Sequence, residues 1–139
     1  MEAAINIKSV IQAPGEDSNV MELYSDGEYI YKNGTSRLRY TETELTGLAG
    51  TETEVCITGE GVRISRKGSL TTVMDFREGE KSSFLIETPY GTATMGMETR
   101  QILASFDESG GELVIKYVLN IEHAVCSVNR LIINVKLRS

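Results

Sequence analysis

Tryptophan is absent from this chain, histidine occurs once, and proline and cysteine occur twice each. A lone imidazole, His123, leaves no histidine pair for a metal centre. Cys56 and Cys126 lie far apart in sequence, without the short spacing of a zinc or redox site. His123 therefore reads as a surface residue beside a turn. No serine stands in a G-x-S-x-G elbow, and no strand-to-helix setting surrounds the glycine-rich segments, so Gly59-Glu60-Gly61 and Ser109-Gly110-Gly111 read as hairpin turns rather than phosphate loops. No apolar run approaches the ~20 residues of a membrane helix. The N-terminus, Met1 to Lys8, lacks a basic segment followed by an apolar one, so no signal peptide is visible. Basic residues are scattered, and the net charge of -6 argues against a nucleic-acid partner. These absences lead to the expectation of a cytoplasmic protein with two reduced thiols and no cofactor, metal, nucleic acid or membrane among its partners.

What is present is ordinary for a globular protein: 139 residues, 40% hydrophobic and 24% charged. That length suits one domain, residues 1–139, with a core of its own. The organising stretch is Val62 to Phe76. Val62 and Ile64 alternate with Arg63 and Ser65. Beyond Lys67-Gly68-Ser69, Leu70, Thr72, Met74 and Phe76 share a face. A period of two with one apolar side describes a β-hairpin, wet outside and packed inside.

The same alternation recurs along the chain. Ala3 to Gln12 places Ile5, Ile7 and Ile11 on one parity, and Pro14 to Asn19 is a loop. Val20 to Lys32 is extended, with a bulge or tight turn expected at Ser25-Asp26-Gly27. Asn33-Gly34 is a strong hairpin signal, because a type I′ turn needs positive φ at both central residues. Ser36 to Thr43 returns with Leu38, Tyr40 and Glu42 on one side. Leu45 to Gly50 alone is neither strand nor simple turn, and suits a single helical turn or a lid. Strands follow over Thr51–Thr58 and Ser83–Thr88, then from Thr92 to Phe106, where a slip in parity calls for a bulge between Thr99 and Ile102. Leu113 to Ile121 and Val125 to Leu137 complete the set. Nine or ten strands with short connections and no convincing helix predict an all-β, up-and-down antiparallel barrel, since closure removes the exposed edges of a long meander.

Several short motifs occur in a particular order: Tyr40-Thr-Glu42, Val62-x-Ile64-x-Arg66-x-Gly68, Met74-x-Phe76, Thr88-Pro-Tyr-Gly91 and Gly111-x-Leu113-x-Ile115-x-Tyr117. As a set they resemble the YwiB-like family of small bacterial proteins, a domain of unknown function. The resemblance spans nearly the whole chain. It implies a calycin-type, lipocalin-like barrel and no established activity.

One residue breaks the pattern of the central hairpin. Arg66 has the parity of Val62 and Ile64, so its charge points toward the core unless a bulge turns it out. Glu42 follows Leu38 and Tyr40 on their inward parity, and Tyr117 lies on an apolar face. An inward guanidinium needs a carboxylate or a wet barrel mouth. Glu42 is the first choice of partner and Glu87 the second. These groups either satisfy one another and plug the barrel end, or clamp the polar head of a ligand whose apolar part enters the barrel. The leading expectation is a binding module for one small amphipathic or anionic molecule, with Arg66, Glu42, Tyr40, Tyr117 and Glu87 as its site. The alternative is a filled structural or protein-interaction barrel, homodimeric or not. Catalysis ranks last, because spacing marks no acid/base pair. A continuous interior cavity of roughly 300 Å³ or more favours the first reading. Four early tyrosines, Tyr24, Tyr29, Tyr31 and Tyr40, could form a base-stacking platform, but without a basic cluster around them strand and rim packing is the better reading.

Overall fold

A computed structural model of the protein describes residues 1–42, 50–121 and 124–138. The helical turn or lid expected at Leu45 to Gly50 lies, apart from Gly50, outside the described residues, as does the lone His123. The described chain forms ten strands and no helix: β1 (Glu2–Gln12), β2 (Asn19–Lys32), β3 (Thr35–Thr41), β4 (Glu52–Thr58), β5 (Gly61–Lys67), β6 (Thr71–Phe76), β7 (Lys81–Thr88), β8 (Gly91–Asp107), β9 (Gly110–Ile121) and β10 (Ala124–Leu137). Each strand pairs antiparallel with the next, and β1 closes on β10. The expected up-and-down barrel is the observed one.

Alternation decides which side chains face inward. On β5, Val62 and Ile64 are buried against Phe76 and Met74, their cross-strand partners on β6. Leu113 and Ile115 on β9 sit beside Ile133 and Leu131 of β10 in the same core. Asn33 and Gly34 adopt φ of 53° and 78°, which lets a two-residue turn follow the twist of β2 and β3. The expected bulge on β8 is present, as a register shift between Thr99 and Gln101 against β9. A second shift lies on β10 between Val125 and Ser127.

At Ser25-Asp26-Gly27 there is neither bulge nor turn, and β2 runs through unbroken. Glycine stands there for space. A Cβ on Gly27 would lie 2.4 Å from the Arg39 carbonyl oxygen and 2.4 Å from Ile5 Cδ1. A turn-forming residue type is serving as a gap between crossing strands.

The wall is uneven. Strands β6 and β7 share two registered pairs, Thr71 with Glu87 and Thr72 with Ile86. Beyond these the hairpin splays, because its turn belongs to β8. Gly79 donates to the Thr99 carbonyl at 2.8 Å, and Thr99 donates to the Glu80 carbonyl at 3.0 Å. The bulge frees the amide of Ile102, which donates to Glu78 Oε2 at 2.8 Å. The pull toward β8 opens a seam with exposed Val73 and Leu85 on its two sides.

Candidate functional site: a polar pair inside the barrel end

The inward parity of Arg66 survives in three dimensions. It pairs with Thr53 on β4 and Thr72 on β6, both buried. Glu42 follows the last residue of β3 and turns into the same end of the barrel, its amide held by the Thr51 carbonyl at 2.7 Å. Arg66 Nε lies 3.7 Å from Glu42 Oε1, with side-chain exposures of 22% and 3%. That separation is an ion pair but too long for a hydrogen bond. Glu42 Oε1 instead accepts from Thr53 Oγ1 at 2.9 Å, while the buried Nε of Arg66 has no hydrogen-bond partner among the described residues. A buried donor without an acceptor carries a desolvation cost.

A cavity of about 240 Å³ adjoins the pair. Ile7, Leu23, Ile64, Met74, Phe76 and Leu131 supply apolar lining, and Arg66, Glu42, Tyr40 and Tyr117 supply the polar part. Ile11 and Met21, both about a third exposed, mark its outer side. Tyr117 packs edge-on against Phe76, with ring centroids 5.0 Å apart at 67°. Burial pushes the Tyr117 phenol up, opposed by the nearby Arg66 charge. Tyr40 is pushed far above the usual phenol range, by burial first and then by the Glu42 carboxylate, against a smaller pull from Arg66. Both phenols are therefore neutral donors at ordinary pH.

Four of the five residues expected at the site thus meet around one cavity. Glu87 does not join them. It stands next to inward-facing Ile86, so alternation sends it to the outer wall, where it lines the seam opposite Thr71. Other polar residues face inward as well. Thr53 shares the parity of Val55 and Ile57, and Ser127 and Asn129 share that of Leu131. Asn129 Nδ2 donates to Ser127 Oγ at 3.0 Å in the interior. Parity counts on β4 and β10 predict each of these, once polar residues are read by position rather than by type. Thr72 Oγ1, across from Arg66, is a second buried atom without a partner. The four early tyrosines do not form a platform, since Tyr29 and Tyr40 are core and Tyr24 is exposed. Cys56 and Cys126 are unpaired and only partly buried.

A family model described as a domain of unknown function, DUF1934, matches residues 5–133. The chain belongs to the DUF1934 family. A crystal structure of the ywiB protein from Bacillus subtilis is similar over 99% of this chain and 92% of that one, with a TM-score of 0.88 and 22% identity. At that identity the likeness speaks for the fold: a closed barrel is common to both. No curated protein matches the chain. Family membership therefore identifies a barrel and assigns it no activity.

Proposed function

We propose that this DUF1934 barrel is a small-molecule-binding module. It holds one small amphipathic ligand with an anionic head in the end cavity, as lipocalin-like barrels hold theirs. The observation that carries the reading is the unclosed Arg66–Glu42 pair. A guanidinium with its Nε unpartnered stands at the edge of an apolar cavity, with two neutral phenols beside it. That donor-rich end suits an acceptor-rich head, and the cavity suits an apolar body. At 240 Å³ the space equals about eight water volumes, so the ligand is small.

The test is native mass spectrometry of protein purified from its own cells, comparing native and denatured masses. A co-purified molecule that denaturation releases, and that Arg66→Met fails to retain while keeping the fold, is the expected result. If ligand is retained undiminished by Arg66→Met, the clamp is wrong. If the native and denatured masses agree, the binding reading falls.

One observation favours a second reading, a filled structural or protein-interaction barrel, homodimeric or not. The interior cavity is smaller than the ~300 Å³ at which drug-sized pockets begin. In that reading Arg66 and Glu42 plug the barrel, and partners meet the outer wall.

A further inference from the structure

A broad concavity lies outside the barrel, not in it. It measures about 1010 Å³ and crosses the outer face of β2, β1, β10, β9 and β8. Its floor is low because three small residues lie there: Ala4 on β1 and Gly110 and Gly111 on β9. The two glycines are required by close strand approach. A Cβ on Gly111 would sit 1.9 Å from the Ser105 carbonyl oxygen, and one on Gly110 would sit 2.1 Å from that of Val135.

Register places the groove's polar groups in two rows across the strands. Tyr24, Asn6 and Asn134 form one row, and Asp26, Ala4, Lys136 and Gly110 form the next. Tyr24 presents an aromatic ring at 74% exposure, with its hydroxyl anchored on Glu22 at 3.1 Å. Asn6 Nδ2 is buried and without a hydrogen-bond partner. Opposite charges balance within the groove. Asp26 is paired with Arg138, and Lys136 shares the groove with Asp107. Asp107 in turn accepts from the amide and hydroxyl of Ser109 at 2.8 and 2.6 Å.

We propose that this groove is a second binding site, for a short neutral oligosaccharide. The charge balance gives no preference for an anion or a cation. Amides, carboxylates and ammonium groups set side by side offer donors and acceptors together, which is what a hydroxyl group needs, since it both donates and accepts. An exposed aromatic ring offers an apolar face to the C–H face of a sugar ring. The groove runs across five strands, roughly 19 Å at the usual strand spacing, so it suits a chain of sugars better than a single one. This site does not depend on the interior cavity.

The experiment is NMR titration of the amide-labelled protein with maltotetraose, cellotetraose and chitotetraose, with adenosine as a nucleoside control. Saturable shifts from at least one of the sugars at Tyr24, Asn6, Gly110, Gly111 and Lys136 are expected, and Tyr24→Ala should weaken binding roughly tenfold. Because Tyr24 is exposed, that variant keeps its fold, as its unperturbed spectrum elsewhere would show. Absence of shifts with all three sugars at millimolar concentration overturns the proposal. So do shifts confined to the interior residues, a Tyr24→Ala affinity equal to the parent, or tighter binding of adenosine at the same residues.

Discussion

At the scale of single residues, the molecule concentrates its costs at Arg66 and Glu42. A buried ion pair is weak as a stabiliser, yet breaking it is expensive because the remaining charge is stranded. Glu42 is almost wholly buried and, when Arg66 is removed, is left with neutral hydroxyl neighbours such as Thr53 and no cation among the described residues. Arg66→Met is therefore expected to destabilise the barrel by about 2–3 kcal/mol, less than a fully buried pair because its side chain is 22% exposed. The double change Arg66→Met with Glu42→Leu should restore most of that loss, and urea unfolding of the three proteins measures it. A double variant no more stable than the single would show that Glu42 is not stranded. A second residue-scale expectation concerns acid. The Ser109 hydroxyl and amide hold the Asp107 carboxyl below the usual carboxylate range. Its native pKa is lower than its unfolded one, so its contribution is present above the unfolded pKa and fades as pH falls through the folded one. NMR titration should place the Asp107 midpoint below those of model carboxyls, and Ser109→Ala should raise it. An unchanged midpoint in that variant would rule out the serine hydroxyl as the cause.

Among the elements, β6 and β7 are the pair that alternation does not describe. Their sequences read as an ordinary hairpin, and parity alone predicts a full ladder. The bulge on β8 intervenes: it leaves the Ile102 amide for Glu78 and draws the turn onto Thr99. Such a three-strand competition is invisible to a rule that reads one strand at a time. The same limit explains Glu87, chosen for its charge as a partner of Arg66 although its neighbour Ile86 holds the inward position. By contrast, the bulge, the Asn33–Gly34 turn and the inward Arg66 were legible, because each depends on parity or turn chemistry within a few residues. Gly27 marks the boundary, where a local turn signal gives way to crowding from Arg39 and Ile5. The splay has a measurable consequence. Amides of Val73 to Phe76 and Lys81 to Leu85 are expected to exchange with solvent faster than those of β9, which pairs along nearly its whole length on both sides. Equal protection in the two regions would mean that the seam closes in solution. At Gly111 the opposite holds. Gly111→Ala should destabilise by about 3 kcal/mol, since the clash is with the Ser105 backbone rather than a flexible side chain.

For the whole molecule, closure is what turns ten one-sided strands into a stable body, because an open sheet would leave two edges free to pair with other chains. The closing strand is β1, which lies between β10 and β2 and pairs with both. Its hold on β10 extends to the ends, where the Arg138 amide donates to the Glu2 carbonyl at 3.1 Å. Being antiparallel to both neighbours, β1 can serve equally as the first half of a hairpin with β2 or the second half of one with β10. A circular permutant tests this directly. Joining Ser139 to Met1 through a short glycine-rich linker and opening the chain between Gly15 and Glu16 makes β1 the last strand instead of the first. The strand pairings of the barrel are unchanged, only the exposed Met1 ammonium–Glu28 pair is lost, and loop-closure entropy depends only weakly on which loop is cut. The permutant is expected to match the parent to within about 1 kcal/mol in urea unfolding, with the same far-ultraviolet spectrum. Deleting residues 1–12 instead bares the edges of β2 and β10 and should yield aggregated or unfolded chain. A permutant that fails to fold with a generous linker would show that the β1–β2 hairpin must form first, and that the order of the strands matters as well as their closure.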